Sequence, residues 1–109
     1  MTGSVARMQL AARMDGLEPG PPLPLPVRLG QGQGRTVYFF TELRGLSGRT
    51  VLHRWELNGR VVQERQLKPT SQAWRAYTAL SIPQSGSWRV AAIDATTGRT
   101  LAEQRFRVE

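Results

Sequence analysis

The chain has no cysteine, one histidine and, among fifteen basic residues, a single lysine, Lys68. Without cysteine there is no disulfide, no thiol nucleophile and no zinc–thiolate site, and the redox compartment is left open, because a β-sandwich needs no bridge. One histidine, His53, excludes a histidine-rich metal centre, and a lone imidazole with scattered carboxylates is a poor ligand set. The uncharged stretch between Glu18 and Arg28 is broken by five prolines, so it provides neither a spanning helix nor the apolar core of a signal peptide. No basic cluster, no GxSxG elbow, no GxGxxG phosphate loop and no helical periodicity occur.

What is present is the composition of a folded domain. At 109 residues, with 39% hydrophobic and 21% charged side chains, the chain is long enough to bury one core without staples. Residues 5–109 read as one domain, and residues 1–4 as an expression start or the edge of a fragment. The net charge of +7 raises the question of an anionic partner. The first 36 residues hold four basic and two acidic side chains, and the last 73 hold eleven and six. Neither part is therefore a polycationic tail.

Along the chain the period is two. Val5 to Met14 alternates, with Ala6, Met8, Leu10, Ala12 and Met14 expected on one side. Residues 15–35 form a proline- and glycine-rich connector, in which DGLEPGPPLPLP reads as an extended crossing outside the sheets and GQGQG, Gly30 to Gly34, as a turn. Its PxxP spacing also matches a ligand for aromatic-groove domains, but a stiff connector is the simpler reading. TVYFFTEL, Thr36 to Leu43, is dense in strand formers. Val51 to Leu57 puts Val51, His53, Trp55 and Leu57 on one face. The Asn58-Gly59 pair after it predicts a tight hairpin to residues 60–67. Further strands follow around Trp74, around Trp88 and from Leu101 to Val108. Seven short strands divided by turn signals predict an all-β, immunoglobulin-like antiparallel sandwich.

Each tryptophan has an arginine beside it: Arg54-Trp55, Trp74-Arg75 and Trp88-Arg89. Such pairs suit a stacking platform for single-stranded nucleic acid or sugar, and they also suit half-buried strands. Neighbours on a strand point to opposite faces, so the pairs divide into core and surface. Trp55 and Trp88, with Phe39 and Phe106, are expected in the core. Trp74, next to a polar turn, is the candidate for an exposed platform. Arg54, Arg75, Arg89, Arg105 and Arg107 are the candidate binding residues, expected to make one exposed sheet surface positive. Ion pairs to Glu56, Glu64 and Glu103 are the simpler use of the same side chains. His53, on the tryptophan face, is expected to be hydrogen-bonded and partly buried, and DATTG (Asp94 to Gly98) lacks the acidic spacing of a calcium loop. Catalysis is not expected, and no metal or cofactor is implied.

Taken in order, YFFTEL (Tyr38 to Leu43), HRWELNGRVV (His53 to Val62), WRAYTAL (Trp74 to Leu80) and GSWRVAAIDATTGRTLAEQRFRV (Gly86 to Val108) resemble a bacterial family, domain of unknown function 2914. The resemblance implies a compact β domain of an envelope-associated protein, often attached to other segments, and brings no functional residues with it. The expectation that follows is a non-catalytic recognition module, extracytoplasmic and part of a larger protein, that binds a protein or a cell-envelope glycan. Membrane contact is expected only through an anchor outside this sequence. The alternative is nucleic-acid or polyanion binding through the arginine-bearing face.

Overall fold

A computed structural model describes residues 3–29 and 35–109 of the chain, so the GQGQG turn lies outside the described residues. The strands are β1 (Ser4–Ala11), β2 (Met14–Asp15), β3 (Glu18–Pro19), β4 (Arg35–Arg44), β5 (Val51–Leu57), β6 (Arg60–Leu67), β7 (Ala73–Ile82), β8 (Gly86–Asp94) and β9 (Thr100–Val108). Two antiparallel sheets face each other, one ordered β1-β4-β7 and the other β6-β5-β8-β9, and β2 and β3 form a small separate ribbon. The architecture is an all-β immunoglobulin-like sandwich.

Alternation builds the interior. From the three-stranded sheet come Val37, Phe39, Leu43 and Ile82, and from the four-stranded sheet Val51, Trp55, Leu57, Trp88, Val90, Phe106 and Val108, all buried. Trp55 is 0% and Trp88 2% exposed. Phe39 meets Trp55 edge-on with centroids 6.3 Å apart, and Trp88 stacks on Phe106 at 6.3 Å and 20°. Such pairs add about 0.5–1.5 kcal/mol beyond area burial. The Asn58-Gly59 hairpin joins β5 to β6, with φ of 50° and 84° at its two central residues. Positive φ at both positions is what a type I′ turn needs, and its twist matches the strands it connects.

Two expectations change. The first strand carries a bulge between Val5 and Arg7, which shifts its register on β4. Val5 consequently packs on the core and Ala6 lies exposed, while beyond the bulge Met8 and Leu10 keep their common face, with Leu10 buried and Met8 left exposed on this edge strand. A bulge inserts one residue and swaps the faces on either side of it, which strict alternation does not anticipate.

The second concerns the connector, which is part of the fold. Gly16-Leu17 turns the chain within the β2–β3 ribbon, where Asp15 pairs with Glu18, Pro19 pairs with Met14 and Gly16 has φ of 60°. Pro22 bridges Ala11, and Leu23 donates its N–H to the Leu10 carbonyl. Val27 then runs parallel to the end of β9, donating to the Arg107 carbonyl and accepting from the Glu109 N–H. Leu23 and Val27 are 6% and 0% exposed. Proline fits here because these pairings lie at edges, where a missing donor faces no partner strand.

Candidate functional site

His53 lies wholly inside the sandwich. Its Nε2 is 2.9 Å from Thr41 Oγ1, and its Nδ1 is 2.9 Å from Thr78 Oγ1, which also accepts from Trp55 Nε1 at 3.1 Å. Burial lowers the imidazole pKa from 6.5 to about 3, so it stays neutral, with one nitrogen donating and the other accepting. That geometry joins the two sheets, and it leaves His53 with no access to a substrate.

The candidate arginines do not share one surface. Arg75 stands on β7, opposite Glu42 of β4, on the outer face of the three-stranded sheet. Arg54, Arg89, Arg105 and Arg107 belong to the four-stranded sheet. Strand parity told outward from inward, but not which of the two sheets each strand joins.

Carboxylates occupy most of these guanidinium groups. Arg75 reaches Glu42 at 3.3 Å and Glu18 of the β2–β3 ribbon at 3.1 Å, and Glu18 also holds Arg7 at 3.2 Å. The ribbon is thereby tied down beside Phe40, over whose ring the Arg7 guanidinium lies 5.0 Å from the centroid. Glu42, hydrogen-bonded by Arg44 and flanked by Arg7 and Arg75, is held below the ordinary carboxylate range. Arg54 pairs with Glu64 at 2.6 Å. Arg89 is held between Glu56, at 2.8 Å, and Glu103. Burial pulls the Arg89 pKa down, but those two carboxylates raise it further, and the same contact holds Glu103 low.

Asp94 accepts Arg49 Nη2 at 2.7 Å and the Thr96 N–H at 2.9 Å. Burial pushes its pKa up, and these donors more than reverse the effect. The DATTG segment is therefore a self-satisfied turn. Among the described residues no cluster of histidine and carboxylates is placed to hold a metal.

Of the five candidate arginines, Arg105 and Arg107 are left largely free. Arg105, whose side chain is 76% exposed, touches only Glu103, at 3.6 Å. Arg107 donates to the Ser87 hydroxyl at 3.1 Å. Both line a groove of about 900 Å³ at one end of the four-stranded sheet. One wall is Leu25 and Pro26 of the proline crossing, and another is the Asn58-Gly59 turn, with Trp88 and Phe106 beneath and Glu56 and Glu109 at the rim. The turn is fixed to the start of β8, since Asn58 donates its N–H to the Ser87 carbonyl at 2.7 Å while its Oδ1 accepts from the Ser87 N–H at 3.0 Å. Leu25 is 46% exposed. The groove therefore combines an apolar wall with two guanidinium groups that have spare donors.

Trp74 does not stand out as a platform. It lies opposite Leu43 on the inner side of β7 and is half-buried, packed against the core. Sequence reasoning found Arg89, Arg105 and Arg107 of the groove and missed Leu25, Pro26, Asn58 and Ser87. The Asn58-Gly59 signal gave a turn, and only the folded-back proline crossing makes that turn a wall.

Strand order and groove together define an immunoglobulin-like β-sandwich with a surface cleft. A family model described as protein of unknown function (DUF2914) matches residues 48–108, and the chain belongs to that family. The matched segment holds β5 to β9, including the strand that carries both Arg105 and Arg107. No curated protein matches the chain. Among solved structures, an immunoglobulin-like protein from Pseudomonas aeruginosa is similar, with 12% identity and a TM-score of 0.65 over 100% of this chain and 98% of that one. At that identity the likeness concerns the fold. Among the described residues no helix is long and apolar enough to cross a membrane.

Proposed function

We propose that this domain is a non-catalytic recognition module, and that it binds a segment of a partner protein in the groove between the proline crossing and the ends of β8 and β9. The observation that carries the reading is the pairing, in one concavity, of exposed Leu25 with the under-used guanidinium groups of Arg105 and Arg107. Protein-binding sites are enriched in arginine and in apolar side chains at a concave centre, with polar groups around the rim. The polyanion alternative has less support. Its arginines fall on two sheets and alternate with Glu18, Glu42, Glu56, Glu64 and Glu103, which breaks up the field that a phosphate chain would follow.

The test is a random-peptide display selection on the intact domain. The expected result is a recurrent peptide family whose binding is abolished by Leu25→Asp with Arg107→Glu, while circular dichroism and melting temperature are unchanged. No recurrent family, or a family that binds this variant undiminished, contradicts the reading.

A further inference from the structure

We infer that the segment taken by the groove is an extended acidic peptide with carboxylates at two alternate positions, read by Arg105 and Arg107; this rests on the groove reading above and adds the ligand's chemistry to it.

Arg105 and Arg107 are two positions apart on one strand, so they share a face and stand about 7 Å apart along it. Alternate side chains of an extended peptide repeat at the same spacing. A segment aligned with β9 therefore brings two carboxylates into register with two guanidinium groups. Each guanidinium is a planar fork that binds a carboxylate bidentately, the strongest form of such a contact. The other arginines of this sheet's outer face cannot do this, since Arg54 is engaged by Glu64 and Arg89 by two carboxylates.

The same face of β9 sets the limits of the acidic pair. Glu103, which also holds Arg89, precedes Arg105 by two positions, and Glu109 follows Arg107 by two, with Arg28 3.6 Å from it. Along the strand the charges run negative, positive, positive, negative. The complement is an acidic pair flanked at the next alternate positions by basic residues. A continuous polyanion would meet a carboxylate at both ends of the pair, so the ladder favours a peptide of mixed charge over nucleic acid or a sulfated chain. Val27 already occupies the β9 edge at Arg107 and Glu109, so the segment lies over the face in the groove and does not extend the sheet.

The experiment is isothermal titration of the intact domain with a blocked peptide of about ten residues carrying Glu at two alternate positions, with Lys at the next alternate position on each side. Its controls are an isomer with the two Glu adjacent, a single-stranded oligodeoxynucleotide and a heparin fragment. The alternating peptide is expected to bind about tenfold tighter than its isomer, and Arg105→Gln or Arg107→Gln each to weaken it about tenfold or more. Arg75→Gln, the same charge change on the other sheet, leaves binding unchanged. Melting curves confirm that each variant is folded.

Equal binding of the two isomers, or indifference to Arg105→Gln and Arg107→Gln, overturns the inference. So does tighter binding of the oligonucleotide or heparin with a steep loss in salt. If the isomers bind alike but Leu25→Asp still abolishes their binding, the acidic ladder fails and the groove reading stands. If neither peptide binds and selection also yields none, both fail.

Discussion

His53 on the four-stranded sheet and Thr78 on the three-stranded sheet lie 2.9 Å apart through Nδ1 and Oγ1, in a site wholly closed to solvent. The imidazole pKa is about 3 in the fold against 6.5 in the open chain. Above pH 6.5 both states are neutral and the contact contributes its full stability. As pH falls from 6.5 toward 3, the unfolded chain takes up a proton that the folded chain refuses, and stability is lost at up to about 1.4 kcal/mol per pH unit. Glu42, Asp94 and Glu103, also lowered, add their losses only below their ordinary values of 4.5, 3.8 and 4.5. Urea unfolding at several pH values should therefore show a decline between pH 6.5 and 5 that His53→Gln lacks. Equal slopes in the two proteins contradict this account of the core.

The three tryptophans should separate by burial. Trp55→Ala and Trp88→Ala are expected to cost about 3–5 kcal/mol each, because each empties a closed site. Trp74→Ala should cost clearly less, since that ring is half-buried on an edge strand. Chemical denaturation of the three variants gives the order directly, and a Trp74 loss equal to the other two contradicts it.

The proline crossing should behave as part of the core. Leu23→Ala and Val27→Ala are each expected to lose about 1–3 kcal/mol in urea unfolding, as buried aliphatic side chains do. A freely moving linker would show no change at either position.

Gly86 has φ of 143°, and an added Cβ would lie 2.7 Å from Leu57 Cδ1 and 3.1 Å from Asn58 Oδ1. Gly86→Ala therefore strains the backbone and presses on the turn that walls the groove. A loss of about 1–3 kcal/mol is expected, with faster amide exchange at Ser87, whose N–H is held by Asn58. Unchanged stability contradicts the positive-φ assignment.

Much of the sandwich was legible because its strands alternate and its turns use strong dipeptides. Val51, His53, Trp55 and Leu57 fell on one face as written, and Asn58-Gly59 fixed the pairing of β5 with β6. The first strand misled because one extra residue between Val5 and Arg7 exchanges its faces. The ribbon at Met14 to Pro19 was hidden by Pro19 and the prolines that follow it, although a glycine first in a two-residue loop, here Gly16-Leu17, is itself a hairpin signal. The groove was half legible. Arg105 and Arg107 announce themselves by parity, whereas Leu25 and Pro26 reach them only through the parallel pairing of Val27 with Val108, a contact between segments eighty residues apart.

The most direct test of the recognition groove is a backbone amide shift map of the intact domain, titrated with the best peptide from display selection. The account predicts perturbations gathered at Leu25, Asn58, Gly59, Ser87 and Arg105 to Glu109, with β1 and β6 silent. Perturbations centred on β6 or on the outer face of the three-stranded sheet would place recognition elsewhere and contradict it.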